Sequence, residues 1–439
     1  MVALGSIAVI VILWSVVSKP LDRRGITSAM VFMLAGLAIG VSALGLFDVK
    51  LESVVAEHVA ELALVLLLFS DAMRLDLRSL RHELNWPARL LLIGLPLTLL
   101  AGTGAGMLVF PGMAFGSVFL LSTMLAATDA ALGQKVVTDQ SVPARVRQAL
   151  DVESGLNDGL AVPFFLVALD IANAELKGGV GTAVIDNALH QIGWGVFAGL
   201  VAGLAGGLLF RLAEQRGWIG QGWRQILPLS AAVLAFAIAG SLGGSGFIAA
   251  FVGGMVFGRA SGEHGAASLF TEETGGLLAG LVWIGFGALA LGPVLPHVTW
   301  NVVLYALLSL TVVRMVPVAI AMLGRGVRWP TVAFIGWFGP RGLASIVFAL
   351  IALESGIPDA DPILTTVVLT ILLSVILHGL SSVPLIAAYS RWYDAHVVEH
   401  PGAPEAKPTI MTRLRRQPNE GDMAAAARAR VAPTSAGGG

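Results

Sequence analysis

Gln148-Ala-Leu-Asp-Val-Glu-Ser-Gly-Leu-Asn-Asp-Gly-Leu-Ala-Val-Pro-Phe-Phe-Leu-Val-Ala-Leu-Asp-Ile171 is an apolar stretch with Glu153-Ser-Gly-Leu-Asn157-Asp158 set inside it. A helix needs about 20 apolar residues to cross a hydrocarbon core of roughly 30 Å, and this stretch is long enough. The inset motif puts two carboxylates and an amide where a bilayer is least willing to hold them. A charge at that depth costs about 2.5 to 3.5 kcal/mol on insertion scales and persists mainly where it lines an ion or proton pathway. The motif therefore points to transport.

The rest of the chain agrees with a membrane setting. Of 439 residues, 56% are hydrophobic and 13% charged, and mean hydropathy is strongly positive, far from soluble domains. Apolar segments recur at 2–18, 26–46, 54–72, 89–110, 114–137, 148–171, 188–212, 226–242, 244–258, 270–291, 299–323, 329–353 and 363–390. The expected fold is an all-α polytopic membrane protein with thirteen transmembrane helices. The division at Gly243-Gly244-Ser245-Gly246 separates the closest pair.

Basic residues test that count, because Lys and Arg stay on the cytoplasmic side of short loops. One set of alternate loops carries Lys19, Arg23 and Arg24, then Arg74, Arg78, Arg81 and Arg89, then Arg145 and Arg147. It continues with Arg211, Arg216, Arg224, Arg259, Arg325, Arg328 and Arg391; the other set holds essentially Lys50 and Lys177. This alternation supports the count of thirteen and places the N-terminus outside and the C-terminus in the cytoplasm; the expected location is the cell membrane. The first segment lacks a basic region before it and has Lys19, Arg23 and Arg24 after it, so it reads as a retained helix rather than a cleaved signal.

A rise of about 1.5 Å per residue then gives each buried charge a depth. Asp158 falls about ten residues, roughly 15 Å, from the inner end of its helix, and Asp129 about eight residues, roughly 12 Å, from the inner end of its own. Arg314 lies about nine residues, and Arg341 about twelve residues, from their inner ends. Glu153 sits about one and a half turns below Asp158. Three carboxylates against two guanidiniums leave one uncompensated negative charge, which in low dielectric must be neutralised by a proton or a bound cation. Ser154 and Asp158, like Glu153 and Asn157, are four apart and form one stripe.

Helix-breaking sequence occurs at matching places in the two halves: Ala127-Thr128-Asp129-Ala-Ala-Leu-Gly133 and Phe338-Gly339-Pro340-Arg341-Gly342. Paired interruptions of this kind free carbonyls and half-helix ends for ions. The fifth and twelfth segments are expected to cross there.

Thr128-Asp129, Glu153-Ser154 with Asn157-Asp158, Gly246-Phe-Ile-Ala-Ala-Phe251 and Gly339-Pro-Arg-Gly342 together resemble the monovalent cation:proton antiporters, closest to the NhaP-like and sodium/hydrogen exchanger branch, from about Ala3 to Tyr389. The resemblance implies inverted repeats, an elevator movement and a homodimer in the lipid bilayer. It implies an interface domain formed by 1–87 and 186–292, and a core ion-binding domain formed by 88–172 and 298–392. It also implies that Asp158 exchanges cation for proton, with Asp129, Ser154 and the Thr128 backbone as co-ligands and Asn157 as stabiliser. Glu153 becomes the partner of Arg314 or Arg341. Asn157 in place of a second acid implies electroneutral exchange. Ala130 stands where family members frequently have Pro. The transported ions are Na+, or alternatively K+ or Li+, and H+; no organic cofactor and no nucleic acid are implied.

Other classes fit less well. A channel calls for a carbonyl filter or ring-forming charge pattern, and none appears. A serine protease reading of Gly243–Gly246 with His378 leaves the mid-membrane charges unexplained. An aspartyl protease using Asp129 and Asp158 lacks a Gly-x-Gly-Asp segment. Absence of cysteine removes disulfides and thiolate chemistry. Gly195, Gly199, Gly203 and Gly207 form a small-residue seam, read chiefly as packing within the interface domain. Glu61 and Asp71, nearer the membrane surfaces, read first as solvated helix ends and second as lining access funnels. The segment 393–439, rich in Pro, Ala, Gly and Arg, reads as a disordered cytoplasmic tail.

Overall fold

Lipid offers no hydrogen-bond partners, so a spanning backbone must satisfy itself internally, and helices do so. The computed structural model describes residues 2–45, 54–75, 85–176, 182–262, 266–357 and 359–406, and no strand occurs among them. Lys50, Arg78, Arg81, Lys177 and the tail arginines Arg413, Arg415, Arg416, Arg428 and Arg430 lie outside the described residues.

Each expected segment falls on a helix or a broken pair of helices. In chain order these are α1 (Val2–Asp22), α2 (Ser28–Ile39), α3 (Val54–Met73), α4 (Asn85–Val109), α5a (Phe115–Met124) and α5b (Gln134–Thr138). They continue with α6 (Ala144–Leu176), α7 (Thr182–Gln215), α8 (Gln221–Ser241), α9 (Gly246–Ser261) and α10 (Leu269–His297). The last are α11 (Trp300–Met322), α12a (Trp329–Trp337), α12b (Leu343–Glu354) and α13 (Ala360–Glu399). Among the described residues eight helices are long and apolar enough to cross a membrane alone, by length and composition. The protein is a multi-pass membrane protein.

Proline accounts for two local distortions. In α4 the Leu95 N–H reaches back to Leu90 O across a π-turn, one residue before Pro96. In α10 a second π-turn, Phe286–Leu291, runs into Gly292-Pro293. A missing ring N–H disrupts the regular ladder, and a wider turn re-satisfies the neighbours. Thr311 breaks α11 differently, leaving helical space at φ −113° and ψ −91°, while its hydroxyl donates to Leu307 O at 2.6 Å.

Small residues set the closest helix approaches. The seam Gly195, Gly199, Gly203 and Gly207 of α7 lies against α9: a Cβ on Gly199 would stand 2.6 Å from Ala249 O, and one on Gly195 2.8 Å from Ser245 O. Helices in lipid pack through such contacts, so the seam serves an intramolecular contact. Ser245 begins α9, its Oγ accepting the Ile248 N–H at 3.4 Å. Its hydroxyl is a helix cap, and His378 belongs to a different network described below.

Helices α1, α2, α3, α7, α8, α9 and α10 make most of their contacts with one another, a first packing group, and α4, α5, α6, α11, α12 and α13 likewise form a second, while α6 also meets α3, α7 and α9, and α12b meets α3. In the second group Tyr305 Oη donates to Gly102 O at 3.2 Å and Ser122 Oγ to Leu99 O at 2.9 Å. Phe165 of α6 stacks on Phe348 of α12b at 4.3 Å between centroids.

The described part of the expected tail is ordered. α13 continues as helix to Glu399, and a 3-10 turn at Pro404–Ala406 folds back on the bundle. Glu405 is buried there, accepting the Arg328 N–H and the Thr331 hydroxyl, each at 3.1 Å. Arg145 donates to Pro404 O at 2.8 Å and lies over the Trp86 ring. Composition misjudged this stretch because one buried acid and one backbone carbonyl anchor it, not an apolar run.

Candidate ion-binding site

The two expected breaks are real and they meet. α5 loses helical structure between Met124 and Gln134, and α12 between Trp337 and Leu343. The Asp129 N–H donates to Pro340 O at 2.8 Å, joining the two irregular segments directly. Ser345 Oγ donates to Met124 O at 2.7 Å, satisfying a carbonyl at the end of α5a.

Half-helix ends inside a membrane expose partial charges, positive at the amide end and negative at the carbonyl end. Asp129 and Arg341 meet one each. The Asp129 carboxylate takes the Leu343 N–H at the start of α12b (3.0 Å) and also the Ala131 and Leu132 N–H groups (2.8 and 3.1 Å). Arg341 is fully buried and directs Nη1 at Ala126 O (3.3 Å) and Ala127 O (3.5 Å), just beyond the end of α5a. Gly342 is required at this crossing, since a Cβ there would run into the Asp129 carboxylate.

Glu153 and Arg314 form a bidentate pair, Nη1 to Oε1 at 2.6 Å and Nη2 to Oε2 at 2.7 Å, both side chains buried. Gly339 makes room for it, because a Cβ at that position would press on the Arg314 guanidinium. A fork-to-fork pair satisfies both carboxylate oxygens.

Asn157 donates Nδ2 to Ala126 O (3.1 Å) and to Thr128 Oγ1 (2.9 Å). It therefore braces the α5 break with its amide hydrogens, and its Oδ1 is buried without a hydrogen-bond partner. Asp158, one residue on, receives a backbone hydrogen bond from Thr128. Its Oδ1 is likewise buried without a hydrogen-bond partner.

Asp158 and Asp129 line a cavity of about 340 Å³ together with Asp71, Glu272, Glu273 and Thr27. Asp71 comes from α3, Glu272 and Glu273 from α10, so one wall belongs to each packing group. Arg74 bonds to Glu272 and places Nε 3.0 Å from Ser268 Oγ beside this cavity. α3 lies against α6 here, a Cβ on Gly155 standing at an ordinary contact distance of 3.7 Å from Asp71 Cβ. Asp71 is thus a wall of the cavity, not a solvated helix end. Its only mark in the sequence is an acid in an apolar segment; its direction depends on the rotation of α3 against α6. Ser154 is buried but lines a separate small void with Ala130, Asp151 and Phe338.

The charge sum can now be divided by residue. Glu153 is matched by Arg314, Asp129 is held by three amides, and Arg341 faces carbonyl oxygens. Asp158 is the carboxylate left with an unbonded oxygen in a chamber wide enough for a hydrated ion.

Comparison with known proteins follows the same line. The family model described as "Sodium/hydrogen exchanger, transmembrane" matches residues 5–388. The K(+)/H(+) antiporter NhaP2 of Shewanella sp. (strain ANA-3) is 29% identical over 394 residues, covering 84% of this chain and 63% of the relative. The chain thus spans less than two thirds of that relative's length. The Na(+)/H(+) antiporter of Schizosaccharomyces pombe is 25% identical over 359 residues, covering 74% of this chain and 76% of the relative. The sodium proton antiporter MjNhaP1 from Methanocaldococcus jannaschii superimposes with a TM-score of 0.69 at 21% identity, covering 86% of this chain and 98% of that one. That structural likeness establishes a shared fold. With the family model running from α1 through α13 and taking in both breaks, the chain belongs to the sodium/hydrogen exchanger family.

Proposed function

We propose that the protein exchanges a monovalent cation for a proton, with Asp158 binding each in turn. The observation that carries this reading is the buried Oδ1 of Asp158, without a hydrogen-bond partner, on a residue that lines an acid-rich cavity. A bare carboxylate is costly to move through an apolar setting. Bound to H+ or to one cation it loses its net charge, so only the loaded forms cross, and flux in one direction is coupled to flux in the other. The Thr128 backbone and Asn157 Oδ1 are the proposed neighbours of the ion. Asp129 acts as the clamp of the crossing, and Ser154 supports the site from behind.

The same reading extends to the movement. Residues 88–172 and 298–392 would travel as a core against 1–87 and 186–292, carrying Asp158 past the wall bearing Asp71 and Glu272. In support, both half-helix pairs and every charge of the crossing belong to one packing group. Electroneutral exchange is supported by Asn157, which contributes an amide where a second acid would add a charge. The basic residues Arg23, Arg24, Arg74 and Arg145 favour a cytoplasmic opening for the cavity, with the N-terminus outside. We place the protein in the cell membrane as a homodimer. The exposed apolar residues Ile12, Leu13 and Val16 of α1 and Leu204 and Leu208 of α7 are available to lipid or to a second copy.

Na+ is the proposed cation. K+ is the second reading, favoured by the similarity to NhaP2 proteins named as K(+)/H(+) antiporters. A fluorescence antiport assay in everted vesicles with Na+, K+ and Li+ at several pH values decides between them. Dequenching by none of the three contradicts the proposal.

A further inference from the structure

Behind the α12 break lies a histidine that the exchange reading leaves without a role. His378 of α13 is 2% exposed. Its Nε2 lies 2.9 Å from Trp337 O, the last carbonyl of α12a. Its Nδ1 lies 2.8 Å from Ser374 O and 3.3 Å from Ser374 Oγ. The same Ser374 Oγ accepts the Arg341 N–H at 2.7 Å. Two side chains on one face of α13 therefore connect the carbonyl on one side of the break with the amide on the other. A third, Ser381, receives the Trp337 indole N–H at 2.9 Å.

Each ring nitrogen faces a carbonyl oxygen, Nδ1 that of Ser374 and Nε2 that of Trp337. Because Ser374 Oγ already accepts the Arg341 amide, its own hydrogen is free to donate to Nδ1. A neutral ring with its proton on Nδ1 would turn the Nε2 lone pair onto Trp337 O. A neutral ring protonated at Nε2 donates to Trp337 O and can accept from the Ser374 hydroxyl while its Nδ1 lone pair faces Ser374 O, and a doubly protonated ring donates to both carbonyls. Two of the three states contain the Nε2–H···O=C bond.

That bond is the second one at Trp337 O, which also accepts the Gly339 N–H at 2.8 Å, and lipid supplies no other partner to the last carbonyls of a half-helix. Holding Trp337 O and the Arg341 N–H together fixes the span of the break. The span in turn decides where the Arg341 guanidinium meets Ala126 and Ala127, and where the Leu343 amide meets Asp129.

We propose that His378 is a positioning residue of the exchange site: through Trp337 and Ser374 it holds the α12 break in the shape that sets Asp129 and Arg341 beside Asp158, without touching the ion. This role rests on the antiport reading above.

The test compares wild type, His378→Gln, His378→Leu and His378→Asn in proteoliposomes, reading proton movement against Na+ and K+ concentration at several pH values. Gln extends an N–H about as far as Nε2 and can accept from Ser374, so its apparent KM is expected to stay within about twofold of wild type. Leu fills the space without a donor and is expected to raise the apparent cation KM about tenfold and to shift the pH profile, the effect of one lost buried hydrogen bond. Asn reaches only the Nδ1 side and is expected to behave as Leu; it carries the test should Leu prevent folding. Wild-type KM and pH profile in both Leu and Asn, with only less folded protein, would overturn the positioning role, as would Gln behaving like Leu. Absence of any cation-dependent proton movement in wild type overturns the antiport reading and this role with it. Exchange in wild type with unaltered Leu and Asn variants overturns this role alone.

Discussion

The carboxylate of Asp129 accepts the Leu343 amide hydrogen at 3.0 Å, binding the interruption of one helix to the first turn of another 214 residues away. Its second oxygen takes two amides of its own segment, so Asp129 is engaged by backbone on every side described. Asp158 differs in having an oxygen left over. The two acids of one chemical type thus divide, by what surrounds them, into one held by amides and one that is the proposed exchanging group.

Asp129→Ala should therefore weaken the fold as well as transport. Loss of a capping carboxylate at a helix start costs about 1 to 2 kcal/mol, and here two segments lose their cap. Thermal unfolding of the detergent-solubilised variant should occur below wild type irrespective of Na+, whereas a pure ligand role would lower only the cation-dependent part of the stability.

Glu153→Ala strands the Arg314 guanidinium in the core. Breaking one side of a buried pair costs about 3 to 5 kcal/mol, whereas replacing both members by apolar residues is much milder. The double variant Glu153→Leu/Arg314→Met should recover most of the monodisperse protein seen by size-exclusion chromatography. A double variant as poor as the single one would show that the pair does more than neutralise itself.

Much of this arrangement was legible in the chain. Gly and Pro at 338–342, and the Thr128-Asp129 pair with Gly133 at 127–133, marked the breaks because few residue types tolerate irregular backbone in lipid. The depth sum marked a layer of charge because rise per residue is the same in any helix. Rotation is different. Which of Arg314 and Arg341 meets Glu153, and whether Asp71 or Ser154 faces the Asp158 cavity, depend on the angular setting of helices far apart in sequence, which the sequences of α3 and α6 taken singly do not encode. Docking of Glu405 was hidden for a related reason: a single buried acid among Pro and Ala has no periodicity.

Gly342→Ala should abolish exchange, because the new Cβ and the Asp129 carboxylate compete for one space. Gly336→Ala provides the control, its Cβ meeting Met315 at ordinary contact distances of 3.4 to 3.6 Å. Near-wild-type transport in Gly336→Ala with none in Gly342→Ala is the expected pattern in everted vesicles. Equal effects would place the sensitivity in helix packing generally.

Asp71→Asn removes one charge from the cavity wall without touching the crossing. The apparent KM for cation should rise about threefold to tenfold at low ionic strength and approach wild type as an inert salt screens the cavity. The maximal rate should change little. A fall in maximal rate with unaltered KM would instead assign Asp71 to the movement.

The proposed role of Asp158, carrying cation and proton in turn, is tested by purified Asp158→Asn protein in proteoliposomes with an imposed cation gradient. No cation-driven proton movement is expected in either Na+ or K+, from protein that elutes and melts as wild type does. Undiminished exchange by that variant would contradict it.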